Sequence, residues 1–241
     1  MHIAICFFGL TRSLHITLES IKKNIFEVLQ NNKITFTTYL HTYNLKILTN
    51  VRSGENSCIL DAEEYKMLNC HYTQITDQEM FLKNITLEEF TTHGDPFHDN
   101  FKSIKNLLCQ LNSLQIVTNM WKVSTEKYDL VLYLRPDLLY NKLNVRDIYT
   151  AQHLQCILTP PYHTFGGIND RFAVGPPQLM YYYGSRQWFA RNYAKKNKLH
   201  SESFLKYVIQ ICNLRCKNVF QLVGKRVRAN GIIHSADLTL F

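Results

Sequence analysis

The stretch YDLVLYLRPDLLY, residues 128–140, carries the densest chemistry in the chain. Five apolar residues, Leu130 to Leu134, run directly into Arg135-Pro136-Asp137. A near-continuous apolar run marks a strand covered on both faces. Pro136 has no N–H to give to a ladder, so the strand must finish there. A guanidinium and a carboxylate are thereby fixed at the end of a buried strand. The first can neutralise a phosphate, and the second can hold a divalent cation or a sugar hydroxyl. Asp137 equally suits a turn cap or a structural ion pair with Arg135.

Two further groups invite the same question. In GGINDRFAVG, residues 166–175, paired glycines let the backbone approach a ligand closely, and Asn169, Asp170 and Arg171 precede an apolar segment. Asp170 can serve a cleft or simply pair with Arg171. In HSESFLKYV, residues 200–208, Ser201 reads as a helix N-cap with Glu202 in the first turn. There Glu202 would favour the helix dipole whether or not it does chemistry. The loop THGDPFHDN, residues 92–100, places His93, Asp95, His98 and Asp99 where they can gate a site or merely coat a surface loop.

These residues need elements to hold them. HIAICFF, residues 2–8, reads as a buried strand stopped by Gly9; a helical spacing covers 14–30 and a second strand 34–42. That order is a βαβ unit, which implies a parallel sheet. Residues 43–70 read as loops around a short helix at 61–68. A strand at 71–75, a helix at 77–83, a helical turn near 86–91 and a long helix over 101–123 follow. Further strands are expected at 154–159 and 171–175, helices at 177–196 and 201–212, and closing strands at 218–223 and 225–229. The expected fold is α/β: one domain over 1–241 with a mainly parallel sheet flanked by helices, a nucleotide-binding half over about 1–140 and an acceptor-side half over about 141–241. In such sheets ligands bind beyond the carboxyl ends of the strands. That rule selects Gly9, Thr11 and Arg12 after the first strand, His41 after the second, and Arg135 with Asp137 after the central one.

Bulk properties narrow the classes. With 241 residues, 46% hydrophobic and 12% aromatic, the chain can bury a full core and is not disordered. A net charge of +8 suggests an anionic partner. Basic residues bunch at Arg191, Lys195, Lys196 and Lys198, expected as solvated surface, and at Lys225, Arg226 and Arg228. Seven scattered cysteines without a Cys-x-x-Cys pair point to reduced thiols. No segment suits a signal peptide or a membrane span. No Gly-Lys-Ser/Thr phosphate loop and no Gly-x-Ser-x-Gly elbow occurs.

ICFFGLTRS, LHTYN, YDLVLYLRPDLLY and GGINDRFAVG, in that order, resemble a family of GT-A-like glycosyltransferases found in large algal viruses, microbes and fungi. The likeness spans about residues 3–210 and includes the Gly9-to-Arg12 loop, the Arg-x-Asp at a core strand and the Asn-Asp-Arg-Phe-Ala segment. It implies a Rossmann-like GT-A domain that moves a sugar from a nucleoside-diphosphate sugar to a glycan or glycoprotein hydroxyl. On that reading Arg12 and Arg135, with Gly9, Thr11 and His41, hold the donor. Asp137 faces the sugar or a metal, Asp170 is the acceptor-side base and Glu202 the second candidate. Many GT-A enzymes hold Mn²⁺ or Mg²⁺ with Asp-x-Asp; here the triplet is Arg135-Pro136-Asp137, so metal use stays open. A cytoplasmic location, in a host cell if the chain is viral, is the matching expectation. Another nucleotide- or phosphate-handling enzyme, a nucleotidyltransferase or hydrolase, is the alternative. A nucleic-acid module built on the aromatics of PPYHTFGG and MYYYGSRQWF is a further one, though no nucleic acid is expected as partner.

Overall fold

The computed structural model describes residues 1–240. Its centre is a seven-stranded sheet formed by β1 (His2–Phe8), β2 (Thr35–Asn44), β5 (Tyr72–Asp77), β6 (Leu130–Leu134), β8 (Ile157–Leu158), β9 (Ala173–Gly175) and β10 (Cys216–Lys217), in the order β10-β8-β9-β6-β1-β2-β5. β9 alone runs against the rest, pairing antiparallel with both β6 and β8. The α/β expectation with a mainly parallel sheet therefore holds. Two small antiparallel sheets are attached: β3 (Ile47–Asn50) with β4 (Glu55–Ile59), and β7 (Leu138–Tyr140) with β11 (Gly224–Arg226).

Alternation along the central strands divides the core. Ile3, Ile5 and Phe7 of β1, with Leu130, Leu132 and Leu134 of β6, pack on α1 (Leu14–Ile21), on α2 (Glu27–Asn31) and on α6 (Val145–Leu154). Ala4, Cys6, Phe8, Val131 and Tyr133 face the other way, against α5 (Lys102–Val123), α7 (Pro177–Gly184) and α9 (Ser201–Ile211). The remaining helices are α3 (Gln78–Lys83), α4 (Glu88–Thr91) and α8 (Gln187–Ala194). No described helix is long and apolar enough to cross a membrane.

Several elements differ from expectation, each for a local reason. The helix expected over 14–30 is α1 and α2 joined by a π-helical turn, Lys22–Phe26. Asn24 in that turn donates from its amide to the Tyr140 carbonyl (2.6 Å), and its own carbonyl accepts from Leu143 N–H (2.9 Å). The helix expected over 177–196 is two helices, α7 and α8. A Cβ at Gly184 would stand 2.1 Å from Thr118 Oγ1 and 2.3 Å from the Tyr133 hydroxyl, so only glycine fits where α7 ends. The strand expected at 218–223 is coil, pinned by the buried Phe220 and Leu222, and its backbone bonds go to Thr159, Asn141 and Asp147 rather than to a ladder. Helix α6, capped by Asn144, and the hairpin β3–β4 were not anticipated.

Candidate active site

The site forms where β1, β6 and the small β7–β11 sheet meet. Gly9 leaves β1 with φ +102°, a left-handed conformation that glycine takes without strain, and its N–H donates to Ser113 Oγ (2.8 Å). The chain turns under itself, and Arg12 is driven inward rather than out to solvent. After β6 the carbonyl of Pro136 accepts from Thr17 Oγ1 (2.6 Å), which anchors Asp137 beneath the same edge. β11 then pairs with β7, Arg226 opposite Leu138, and the Val227 N–H continues the contact to the Asp137 carbonyl (2.9 Å). The close pairing requires Gly224, whose Cβ would meet Leu138 Cδ1 at 2.8 Å. So the basic run near the C-terminus, where a strand was expected over 225–229, delivers Arg226 and Arg228 to the core of the site.

These arginines are stitched by buried acids. Asp137 is wholly buried; its Oδ2 accepts from Arg12 Nη2 (2.8 Å) and Arg135 Nη2 (2.7 Å), and its Oδ1 from Arg135 Nε (2.9 Å). Burial by itself would raise its pKa, but the fields of Arg135 and Arg12 outweigh that and hold the carboxyl well below the usual range. Glu55, on the hairpin, accepts from Arg12 Nη1 (3.1 Å) and the Ala229 N–H (2.9 Å), and stands 4.0 Å from Arg228 Nη1. Asp237 binds Arg226 through both oxygens (2.8 and 2.9 Å) and takes Arg171 Nη1 at 3.2 Å.

From Arg135 the network passes to the acidic wall through one side chain. Gln110 of α5 accepts from Arg135 Nη1 (3.2 Å) and donates to Asp170 Oδ2 (2.6 Å). Ser201 Oγ donates to the same Asp170 oxygen. Glu202 stands next to it at the start of α9. Burial first, and the neighbouring Asp170 second, push its carboxyl up to about 8. The backbone makes this meeting tight: Ile168 N–H donates to the Glu202 carbonyl (3.1 Å), and a Cβ on Gly167 would lie 2.1 Å from that carbonyl carbon. Together the groups line a cleft of about 380 Å³, with Arg52, Phe97, Phe165 and His200 at its rim. Arg52 stacks over Phe97 (4.2 Å), and His200 lies between Phe97 and Phe165 (ring centres 5.3 and 6.5 Å). A second hollow, about 510 Å³, lies at the opposite end of β6 around Trp121, Tyr128 and Asp129 and holds none of these groups.

Of the residues singled out in the sequence, Gly9, Arg12, Arg135, Asp170 and Glu202 line the cleft. His41 does not: alternation along β2 turns it onto α5, where it is fully buried, bonded to Ser113 Oγ and Thr76 Oγ1 (both 2.8 Å), its pKa lowered by burial to about 4. Thr11 is buried behind the loop and is not in the lining. Asp137 also requires correction. It is wholly buried and outside the cleft lining, and three of its about four lone-pair sites are taken by two guanidiniums, so a sugar hydroxyl or a metal ion would have to displace them and the tentative metal assignment does not fit its geometry. No group of three or more His, Cys, Asp or Glu among the described residues could hold a metal. In the loop 92–100, Asp95 accepts from the N–H of Phe97, Asp99 and Phe101, so that acid organises its own turn.

No family model matches the chain, and no curated protein matches it. Among solved structures it is similar to apo mouse xyloside xylosyltransferase 1, at 12% identity over 90% of this chain and 83% of that one, TM-score 0.42. It is also similar to the glycosyltransferase GlyE of Streptococcus pneumoniae TIGR4, at 10% identity over 89% of this chain and 44% of that one, TM-score 0.41. A third is the galactosyltransferase LgtC in complex with donor and acceptor sugar analogs, at 12% identity over 87% and 70%, TM-score 0.39. The chain thus spans less than half of GlyE. At these values the residues of the cleft, not the neighbours, carry the functional reading.

Glu55, Gln110 and Asp237 escaped the sequence reading. A lone Gln on a long helix gives no local signal, and the two acids acquire meaning only through partners 43 and 11 residues away, Arg12 and Arg226. The run Lys225-Arg226-Val227-Arg228 did carry one: an apolar residue between arginines within the strand expected at 225–229 is the alternation of a half-buried strand.

Proposed function

We propose that the chain is a glycosyltransferase that takes its sugar from a nucleoside-diphosphate donor and passes it to a glycan hydroxyl. One observation carries this reading: in a single cleft, the guanidinium bed of Arg12 and Arg135 is one side chain, Gln110, away from the carboxylate of Asp170. Glycosyl transfer needs these two functions side by side. The bond from the anomeric carbon to the diphosphate oxygen breaks, and its electron pair leaves with the diphosphate. Fixed positive charges lining the cleft lower the energy of that developing charge, with no reorganisation at the moment of reaction. The acceptor oxygen forms the new bond to the anomeric carbon, and its proton passes to Asp170. One oxygen of Asp170 is held by Gln110 and Ser201, which leaves the other for the acceptor.

Glu202 suits a different task. Holding its proton at neutral pH, it can donate a hydrogen bond to a sugar oxygen without adding a second negative charge next to the diphosphate. The rim rings of Phe97, Phe165 and His200 offer flat faces for a pyranose ring, which supports a sugar acceptor. The expected test is incubation with UDP-, GDP-, ADP- and CMP-sugars while release of the nucleotide is followed. One diphosphate class should be cleaved, slowly by water and faster with a sugar acceptor, and Asp170→Asn should lower the rate about 100-fold or more. Failure of a folded chain to cleave any of them overturns the reading.

A further inference from the structure

We infer that the cleft holds the diphosphate of its ligand on Arg228 together with Arg12 and Arg135, and does so without a divalent cation. The inference deepens the transferase reading and rests on it for the identity of the ligand. The anion site itself stands on separate observations.

Arg228 is the first. It lines the cleft at 7% exposure, yet among the described residues no nitrogen of its guanidinium finds a hydrogen-bond partner; Nε is buried, and the carboxylate of Glu55 stands 4.0 Å from Nη1. Arg12, at 8% exposure, likewise has an unpartnered Nε, while its other two nitrogens are engaged. Buried guanidiniums are ordinarily saturated, because removing the charge from water is costly unless hydrogen bonds replace the lost solvation. Two adjacent guanidiniums left short of acceptors describe a place made for acceptors that come from outside. Burial and the fields of Arg12 and Arg226 lower the Arg228 pKa to about 9, the strain expected of a cation awaiting its counter-ion.

Charge counting gives the class of that counter-ion. Arg12, Arg52, Arg135, Arg171, Arg226 and Arg228 line the cleft; the acids paired with them from behind are Glu55, Asp137 and Asp237, and Asp170 stands in the wall as a carboxylate. Six guanidiniums against four carboxylates, with Glu202 holding its proton, leave a double positive charge, the complement of a diphosphate diester. A divalent cation would add to that surplus rather than supply what is missing. It would also have to displace guanidiniums from Asp137, whose Oδ2 already accepts at 2.7 and 2.8 Å. Fixed arginines thus occupy the electrostatic role that an ion would fill.

The test uses inorganic pyrophosphate and a panel of nucleoside diphosphates, titrated calorimetrically into the chain in excess EDTA and again with Mn²⁺. Binding is expected in EDTA, with Mn²⁺ changing the affinity by no more than about twofold. Arg228→Gln should weaken it about tenfold or more, as for loss of a charge-assisted pair, and Arg228→Lys should restore part of it. Arg228→Gln should also melt no lower than the parent chain, since it removes an unsatisfied buried charge; a guanidinium kept for structure alone would give a lower melting temperature. No binding in EDTA, binding that appears only with Mn²⁺, or a folded Arg228→Gln that binds unchanged overturns the inference. The transferase reading fails separately: pyrophosphate held in EDTA with no donor sugar ever cleaved leaves the anion site standing and removes the reaction. Donor cleavage that requires Mn²⁺ does the reverse.

Discussion

Arg12 and Arg135 donate to one and the same oxygen of Asp137, at 2.8 and 2.7 Å, across sequence separations of 125 and two residues. Two guanidiniums that would repel each other are held side by side because a wholly buried carboxylate stands behind them. The parallel register of β1 with β6, Phe7 opposite Leu134, brings their two following loops together, and the Thr17–Pro136 bond locks the carboxylate under them. Asp137 therefore acts by positioning cations, and its chemistry reaches a ligand only through them.

Asp137→Asn should accordingly cost stability before it costs chemistry. Removing one partner of a buried ion pair typically destabilises by about 3–5 kcal/mol, because the remaining charges are left uncompensated. The pH dependence has a definite sign. The folded carboxyl titrates well below its unfolded value of about 3.9, so its contribution is present above about pH 4 and disappears as pH falls through the folded pKa. Urea unfolding of both chains as a function of pH checks this: the gap should be full at pH 7 and should narrow on acidification below about pH 4. A gap that is absent at neutral pH contradicts the role given to Asp137.

Gly167→Ala tests the seam between the two walls of the cleft. The added Cβ would lie 2.1 Å from the Glu202 carbonyl carbon and oxygen and 2.5 Å from the Ser203 nitrogen, all backbone atoms of the first turn of α9. No side-chain rotation relieves that contact, so α9 must shift and the Ile168–Glu202 bond must lengthen. Overpacking of this kind costs about 1–3 kcal/mol. Thermal unfolding should show the loss, whereas Gly166→Ala, where the space for a Cβ is open but φ is +79°, carries only the backbone strain. Equal melting temperatures for Gly167→Ala and the parent chain would refute the close approach.

What was legible in the sequence follows from range. The continuous apolar runs of β1 and β6 are local, and both strands lie where their patterns put them. The five site residues that reach the cleft lie at a strand end, in glycine-flanked loops or, for Glu202, in the first turn of α9, where the backbone itself dictates direction. His41 went astray because a strand residue faces one side or the other by its register, and the register of β2 against α5 is a tertiary fact. Arg228 was legible as charge but not as position. The β7–β11 pairing that buries it joins segments more than eighty residues apart, and Glu55 reaches it from a hairpin whose strands show little apolar patterning.

Glu202 offers the sharpest pH signature. Burial and Asp170 raise its carboxyl to about 8, against an unfolded value near 4.3. For an acid raised on folding, the native chain keeps a proton that the unfolded chain has lost. Its contribution is therefore full below about pH 4.3 and is lost progressively as pH rises to about 8. Glu202→Gln removes that slope, so the variant should match the parent chain near pH 4 and exceed it in melting temperature near pH 9. The charged and titratable groups facing Glu202 are His200 at 3.3 Å, Asp170, Arg171 and Arg226; burial lowers the His200 pKa below its ordinary value, so the imidazole adds no compensating charge above about pH 6.5. Ionisation of Glu202 would also set a second negative charge beside Asp170, at the edge of a cleft whose ligand is anionic. Nucleoside diphosphate affinity should therefore begin to fall as pH passes about 8 in the parent chain and fall later in Glu202→Gln, where the loss of the Arg228 charge, lowered to about 9, is the part that remains. Calorimetric titration at pH 6.5 to 9 reads this directly, and identical profiles for the two chains would mean that Glu202 is charged throughout.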